Sequence, residues 1–163
     1  AGGRVTLTSR LSGGEVPPGL VSYRVQRLDV TGTEPLIVTR PIAAIDLAVG
    51  RYVVESRLGA LNARLKREIE VKAGAPLSLV MDHKAGLVHL RLVDAASGLA
   101  IADAFWEIRN DGGQLIWATS QAEPRAPLLA GRYVVRAEQR GRSAEIALEL
   151  RPGEKRTVEL PLK

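Results

Sequence analysis

The chain has no cysteine, which removes disulfides, thiolate nucleophiles and cysteine-ligated metals at once. Histidine is nearly as scarce: His83 and His89 are the two it has, and they lack the i, i+4 spacing of a helical zinc pair. No G-x-S-x-G elbow, P-loop or dinucleotide fingerprint occurs, and the Gly-Gly pairs stand in turn contexts rather than at strand–helix junctions. Apolar runs are broken by Arg, Asp or Gly before they reach the ~18 residues of a helical membrane span. Blocks of like charge are missing too. The formal charge is +5 over 163 residues, and 18 of the 23 basic residues are Arg, but they are spread along the chain. Arginines at alternate positions of β-like segments read as a solvated face. Without a basic helix or exposed aromatics interleaved with the arginines, no nucleic-acid partner is expected.

What is present is a repeat. The phrase GRYVV occurs at Gly50–Val54 and again at Gly131–Val135. The match extends outward from both copies. Glu68–Met81 aligns with Ala147–Leu160, and Leu20–Arg27 with Asp103–Asn110, setting Tyr23 against Trp106 and Val25 against Ile108. Val5–Gly14 aligns with Val88–Gly98. Two copies of one unit follow: residues 1–82 and 86–163, joined by a short linker at 83–85.

Within each copy the apolar period is two, the mark of half-buried strands. Val88, Leu90 and Leu92 alternate with His89 and Arg91, and Ala144, Ile146, Leu148 and Leu150 alternate with polar or small residues. Turn signals such as "PPG", "KAGAP", "NDGG" and "RPGE" punctuate the runs, and Asp111–Gly113 is a hairpin candidate because glycine accepts positive φ. The stretch Leu61–Val71 taken alone has the spacing of an amphipathic helix. Its counterpart in the second copy alternates cleanly, so a strand satisfies both. The expectation is all-β: two tandem Greek-key sandwiches of the Ig-like or prealbumin-like kind, about seven strands each.

The repeated phrase itself reads as structure. Gly50 and Gly131 permit a turn between strands, and Tyr52 and Tyr133 then bury their rings while each hydroxyl reaches a backbone group near that turn, as in a tyrosine corner. A duplicated catalytic tyrosine would need an acid–base partner near both copies, and none recurs. With the following "VKAGAP" or "RPGEK" and a closing strand, the pattern resembles the prealbumin-like, carboxypeptidase-regulatory-type β-sandwich modules that occur in tandem in bacterial envelope proteins. That resemblance implies a spacer, adhesion or interaction role in the periplasm or at the cell surface. Members that crosslink themselves need a Lys in the first strand and an Asn or Asp in the last. "RVTLTSRL" and "LVHLRLV" hold no Lys, and "PLSLVM" and "RTVELPL" hold no Asn or Asp. The terminal Tyr-Arg-Gly-Ser of the transthyretin-related hydrolases is also missing.

Few residues remain as candidates for a site. His83 is expected in the linker and His89 on a polar strand face, so no metal is expected. Asp103 and Glu107 are dispersed carboxylates without a cleft, which two-carboxylate hydrolysis needs, so neither catalysis nor a cofactor is expected. Trp117 aligns with Val38 and is expected to share a face with Leu115, with Ile116 on the other. Apolar residues on both faces mean burial on both sides or a binding edge. Leu115, Ile116 and Trp117 are therefore the binding candidates. The expected partner is an envelope protein; the alternative is a glycan stacked on Trp117.

Overall fold

The structure is a computed structural model that describes residues 2–17 and 19–163, and every regular element among them is a strand. Ala1 and Pro18, the latter in the expected "PPG" turn, lie outside the described residues. The chain divides into two compact units, residues 1–83 and 84–163.

The first unit holds β1 (Gly2–Leu11), β2 (Val21–Arg27), β3 (Leu36–Val38), β4 (Ile42–Ala48), β5 (Gly50–Leu58), β6 (Ala63–Val71) and β7 (Leu77–His83). One sheet has the order β4-β1-β7 and the other β3-β2-β5-β6. The second unit holds β8 (Ala85–Asp94), β9 (Ala100–Ile101), β10 (Phe105–Asn110), β11 (Leu115–Thr119), β12 (Arg125–Leu129), β13 (Gly131–Gln139), β14 (Arg142–Leu150) and β15 (Lys155–Leu162). Its sheets run β12-β8-β15 and β11-β10-β13-β14. The order is that of the first unit, with β9 added where Leu92 and Val93 pair Ile101 and Ala100. The second copy therefore has eight strands rather than seven.

In both units the first and last strands lie side by side and parallel: β1 on β7, and β8 on β15. Every other pairing is antiparallel. Parallel neighbours cannot be joined by a tight turn, so the chain must cross to the other sheet and return before the unit closes. Inward residues recur at every second position and form the cores: Val5, Leu7, Tyr23, Val54 and Met81 in the first, Leu90, Trp106, Ile108, Val135 and Leu160 in the second.

The expected linker at 83–85 is replaced by strand ends. β7 runs through His83, in register with Leu11, and β8 starts at Ala85, in register with Leu129, so Lys84 alone stands between them. His83 and Ala85 are both fully buried, which fixes each in its own sheet. The extension of β7 also carries Asp82 into the closing strand, opposite Arg10. The closing strand therefore does contain an Asp, but β1 has no Lys to meet it.

Leu61–Val71 is resolved in favour of strand. β6 pairs with β5 from Gly50↔Val71 to Leu58↔Ala63, and cross-strand pairing outweighs the local helix preference. As an edge strand it carries Arg64, Lys66, Arg67, Glu68 and Glu70, charges that discourage pairing with another chain. At Asp111–Gly113 the β10–β11 hairpin turns as expected, with Gly113 at φ 82° and its N–H donating to Asn110 O at 3.0 Å.

The GRYVV phrase makes the same latch twice. Tyr52 Oη donates to Ala48 O at 2.8 Å, and Tyr133 Oη to Leu129 O at 2.6 Å. Each bond spans the turn that carries the chain from one sheet to the other, with the ring buried beneath. Gly50 also leaves room for an ion pair. A Cβ there would meet the Arg27 guanidinium and the Asp29 carboxylate, both at 2.8 Å, so a larger residue would have to displace them. Arg27 binds Asp29 at 2.7 Å, donates to Val49 O at 2.8 Å and lies 5.6 Å from the centre of the Tyr52 ring. Its guanidinium holds the Asp29 carboxyl below the usual carboxylate range. Replacing Tyr52 or Tyr133 by Phe strands a carbonyl at the turn and is expected to cost its own unit about 1–2 kcal/mol. Urea unfolding of each variant checks this, with no change expected in the other unit.

Candidate interaction surface

A sandwich offers a partner three kinds of surface: its edges, its outer faces and its loops. Because the two units are copies, the places where their surfaces differ are informative.

The edge strand β11 carries the three binding candidates. Its register with β10 shifts between Ile108 and Arg109: Ile108 pairs with Trp117, but Arg109 pairs with Leu115, leaving Ile116 as the extra residue of a bulge. Directly paired residues share a face. Leu115 therefore lies with exposed Arg109 on the outside, and Trp117 with fully buried Ile108 on the inside. The expectation that Leu115 and Trp117 share a face fails because the bulge adds one residue to the alternation. The same register corrects the repeat alignment. Tyr23 pairs with Val38 and Val25 with Leu36, while Trp106 pairs with Thr119 and Ile108 with Trp117. The counterpart of Trp117 is thus Leu36, and that of Val38 is Thr119. Half-buried and turned inward, the Trp117 ring is not laid open as a stacking platform for a sugar.

The histidines also separate. His83 is wholly enclosed in the first unit, not solvated in a hinge. His89 lies on an outer face of the second, its Nε2 2.9 Å from Glu123 Oε1. No cluster of three metal-ligating side chains occurs among the described residues. Asp103 accepts from Gln139 Nε2 at 2.6 Å and pairs with Arg140 at 3.6 Å, while Glu107 pairs with Arg109 at 3.3 Å. These carboxylates are engaged with neighbours on an open surface.

The outer face of the β4-β1-β7 sheet is different in kind. Register places Ile42, Thr8 and Val80 in one row, and Ala44, Thr6 and Ser78 in the next. Ile42 is 64% and Val80 55% exposed. None of the six is charged. At one end Arg4 pairs with Asp46 at 3.2 Å, and at the other Arg10 stands in register with Asp82. The result is a flat uncharged centre between two mixed-charge ends. In the second unit the positions of Thr6, Thr8, Ala44 and Val80 are taken by His89, Arg91, Arg125 and Glu159. One copy carries the charged face normal for a solvated sheet, and the other does not.

Comparison with known proteins gives a match over the second copy. Residues 87–162 match the family model of the Rhizobiales growth-associated tandem repeat domain. A bacterial tandem-repeat domain agrees with the resemblance read from the sequence. No curated protein matches the chain. Among solved structures, the chain is similar to the Bacillus anthracis TIE protein, at 16% identity and TM-score 0.43 over 99% of this chain. It is similar to a streptococcal ancillary pilin, at 11% identity and TM-score 0.48 over 99%, and to a minor pilin of Streptococcus agalactiae, at 14% identity and TM-score 0.40 over 98%. The match spans 34%, 62% and 95% of those three chains, respectively. No helix among the described residues is long and apolar enough to cross a membrane.

Sequence reasoning passed over the uncharged face because Thr, Ser and Ala on the polar side of a strand look unremarkable one by one. The signal is the comparison of the two copies, position by position, for charge. For Trp117 the expectation is structural: Trp117→Ala lowers the stability of the second unit by about 2 kcal/mol. Denaturation of the variant, read by the remaining Trp106, checks it.

Proposed function

We propose that the chain is a non-catalytic protein-interaction or spacer module of a bacterial cell-envelope protein, meeting its partner on the outer face of the β4-β1-β7 sheet. The observation that carries this reading is the absence of charge from the centre of that face in one copy alone. A solvated sheet gains nothing from exposing Ile42 and Val80, whereas a docking face needs an apolar centre and a charged rim. The rim of Arg4, Asp46, Arg10 and Asp82 presents both signs, which suits a protein surface better than a uniformly anionic polymer. Six central residues fall well short of the ~20–30 a side of a standard interface, so the contact belongs to the weak, reversible class. The envelope setting rests on the resemblance to tandem sandwich modules and on the bacterial tandem-repeat model that matches the second unit.

The test is affinity capture from an envelope extract of the source organism, before and after glycan digestion. A Thr8→Lys/Val80→Lys variant is run in parallel. The expected outcome is a protein recovered with or without glycans by the native chain and lost with the variant, whose fold is checked by circular dichroism. Capture that disappears with the glycans, or that the variant retains, contradicts the reading.

A further inference from the structure

The first unit carries a chain of polar side chains through its core. Ser9, Ser56 and His83 occupy inward positions of β1, β5 and β7 and are 5%, 0% and 0% exposed. His83 Nε2 lies 2.9 Å from Ser56 Oγ, and Ser56 Oγ lies 2.6 Å from Ser9 Oγ. The line runs from the closing strand β7 through β5 to β1, and on neighbouring β2 Tyr23 Oη donates to Pro41 O at 2.8 Å.

Its histidine end sets its direction. Ser56 Oγ stands beside Nε2 and can accept an N–H there, whereas a proton on Nδ1 would meet no acceptor. The less costly arrangement is the Nε2–H tautomer, with Ser56 donating onward to Ser9 and Nδ1 the bare nitrogen. That atom is buried and has no hydrogen-bond partner. A lone pair left unpaired is tolerable there. An N–H in the same place would be a charged donor with no acceptor, which burial makes costly.

The second copy shows that the fold does not require this network. The register of each sheet sets Leu92, Ala137 and Leu162 at the positions of Ser9, Ser56 and His83, with Trp106 at that of Tyr23. All four are buried. An apolar solution to the same packing problem exists in the same chain, and the first unit has a titratable one instead.

We propose that the first unit is acid-opened: proton uptake at His83 Nδ1 places a charged donor in the core with no acceptor and loosens that unit while its sister, which has no histidine in its core, stays closed. The charged groups on the surrounding strands do little to prevent this. β7 offers Asp82, the one charge that favours the imidazolium, and β1 offers Arg10, in register with Asp82. On β5, Glu55 is tied to Arg57 and to Lys66 of β6. Arg67 of β6 is exposed, and Lys84 follows His83 directly. Burial holds the imidazole below its ordinary value against the pull of Asp82. The open state therefore binds one more proton than the closed one. First-unit stability is full above the ordinary histidine value of about 6.5 and declines as pH falls from there through the lower folded value.

Urea unfolding of the whole chain at about pH 7.5 and about pH 5, either side of the ordinary histidine range, tests the proposal. Trp106 and Trp117 both belong to the second unit, so tryptophan fluorescence reads that unit alone. Backbone NMR signals of β1 and β7 read the first. The expected result is an opening constant for the first unit that rises by up to about tenfold per pH unit lost, with the tryptophan transition nearly unmoved. A Ser9→Leu/Ser56→Ala/His83→Leu variant, which copies the second unit, removes that dependence if it folds. Ring nitrogen shifts of the native protein need no variant and are expected to show Nε2 protonated and Nδ1 bare. Equal shifts of both units, or an imidazolium forming at His83 with the first-unit signals in place, overturns the proposal.

Discussion

Each unit is closed by one contact, the parallel pairing of its first strand with its last. β1 meets β7 over Val5–Leu11, and β8 meets β15 over Leu87–Asp94. These are the most distant pairings in sequence within each unit, so closing them carries the largest loop-closure cost of any strand pair there. Much else follows from them. They place inward residues of the first strand opposite inward residues of the last and so complete the core. The tyrosine latches serve the same closure from the other side, since each pins a turn between the two sheets.

Duplication supplies its own control. Where the two copies agree, the shared requirement is the sandwich: strand order, parallel closure, GRYVV latch. Where they differ, the fold is indifferent, and another explanation is needed. Two differences stand out, both in the first unit. Its β4-β1-β7 sheet exposes an uncharged face where the sister sheet carries His89, Arg91, Arg125 and Glu159. Its core holds a hydrogen-bonded line where the sister core has Leu92, Ala137 and Leu162. Buried polar lines of this kind are seldom the most stable filling of a core, so retention of one beside an apolar alternative marks a role beyond packing.

Much of this was legible in the sequence, and what was not has physical causes. The period of two and the doubled GRYVV phrase carried the sandwich, because alternation is dictated by the strand itself and needs no tertiary information. The strand at Ala63–Val71 was recoverable only by comparing copies, since its own residues favour helix. The facing of Trp117 was not recoverable. A bulge changes the phase of every residue beyond it, and nothing in "GQLIWATS" marks Ile116 as the extra one. His83 was misplaced because "MDHKAG" looks like a hinge when β7 and β8 are not yet seen to run almost into one another. One signal for the relay was present. Ser9 falls in phase with Val5, Leu7 and Leu11, and Ser56 with Tyr52, Val54 and Leu58. A polar residue in an apolar phase is the mark of a buried network.

The central claim is that the chain is two self-closed sandwiches, each held by its own first-to-last strand pair. Native-state hydrogen exchange of the whole chain, resolved by residue, tests it most directly. The account predicts two groups of slow amides. Those of β1 and β7 would exchange only through the opening of the first unit, and those of β8 and β15 only through that of the second, with two distinct limiting free energies. A single limiting value shared by all four strands, or early exchange along either parallel pair while the hairpins stay protected, would contradict it.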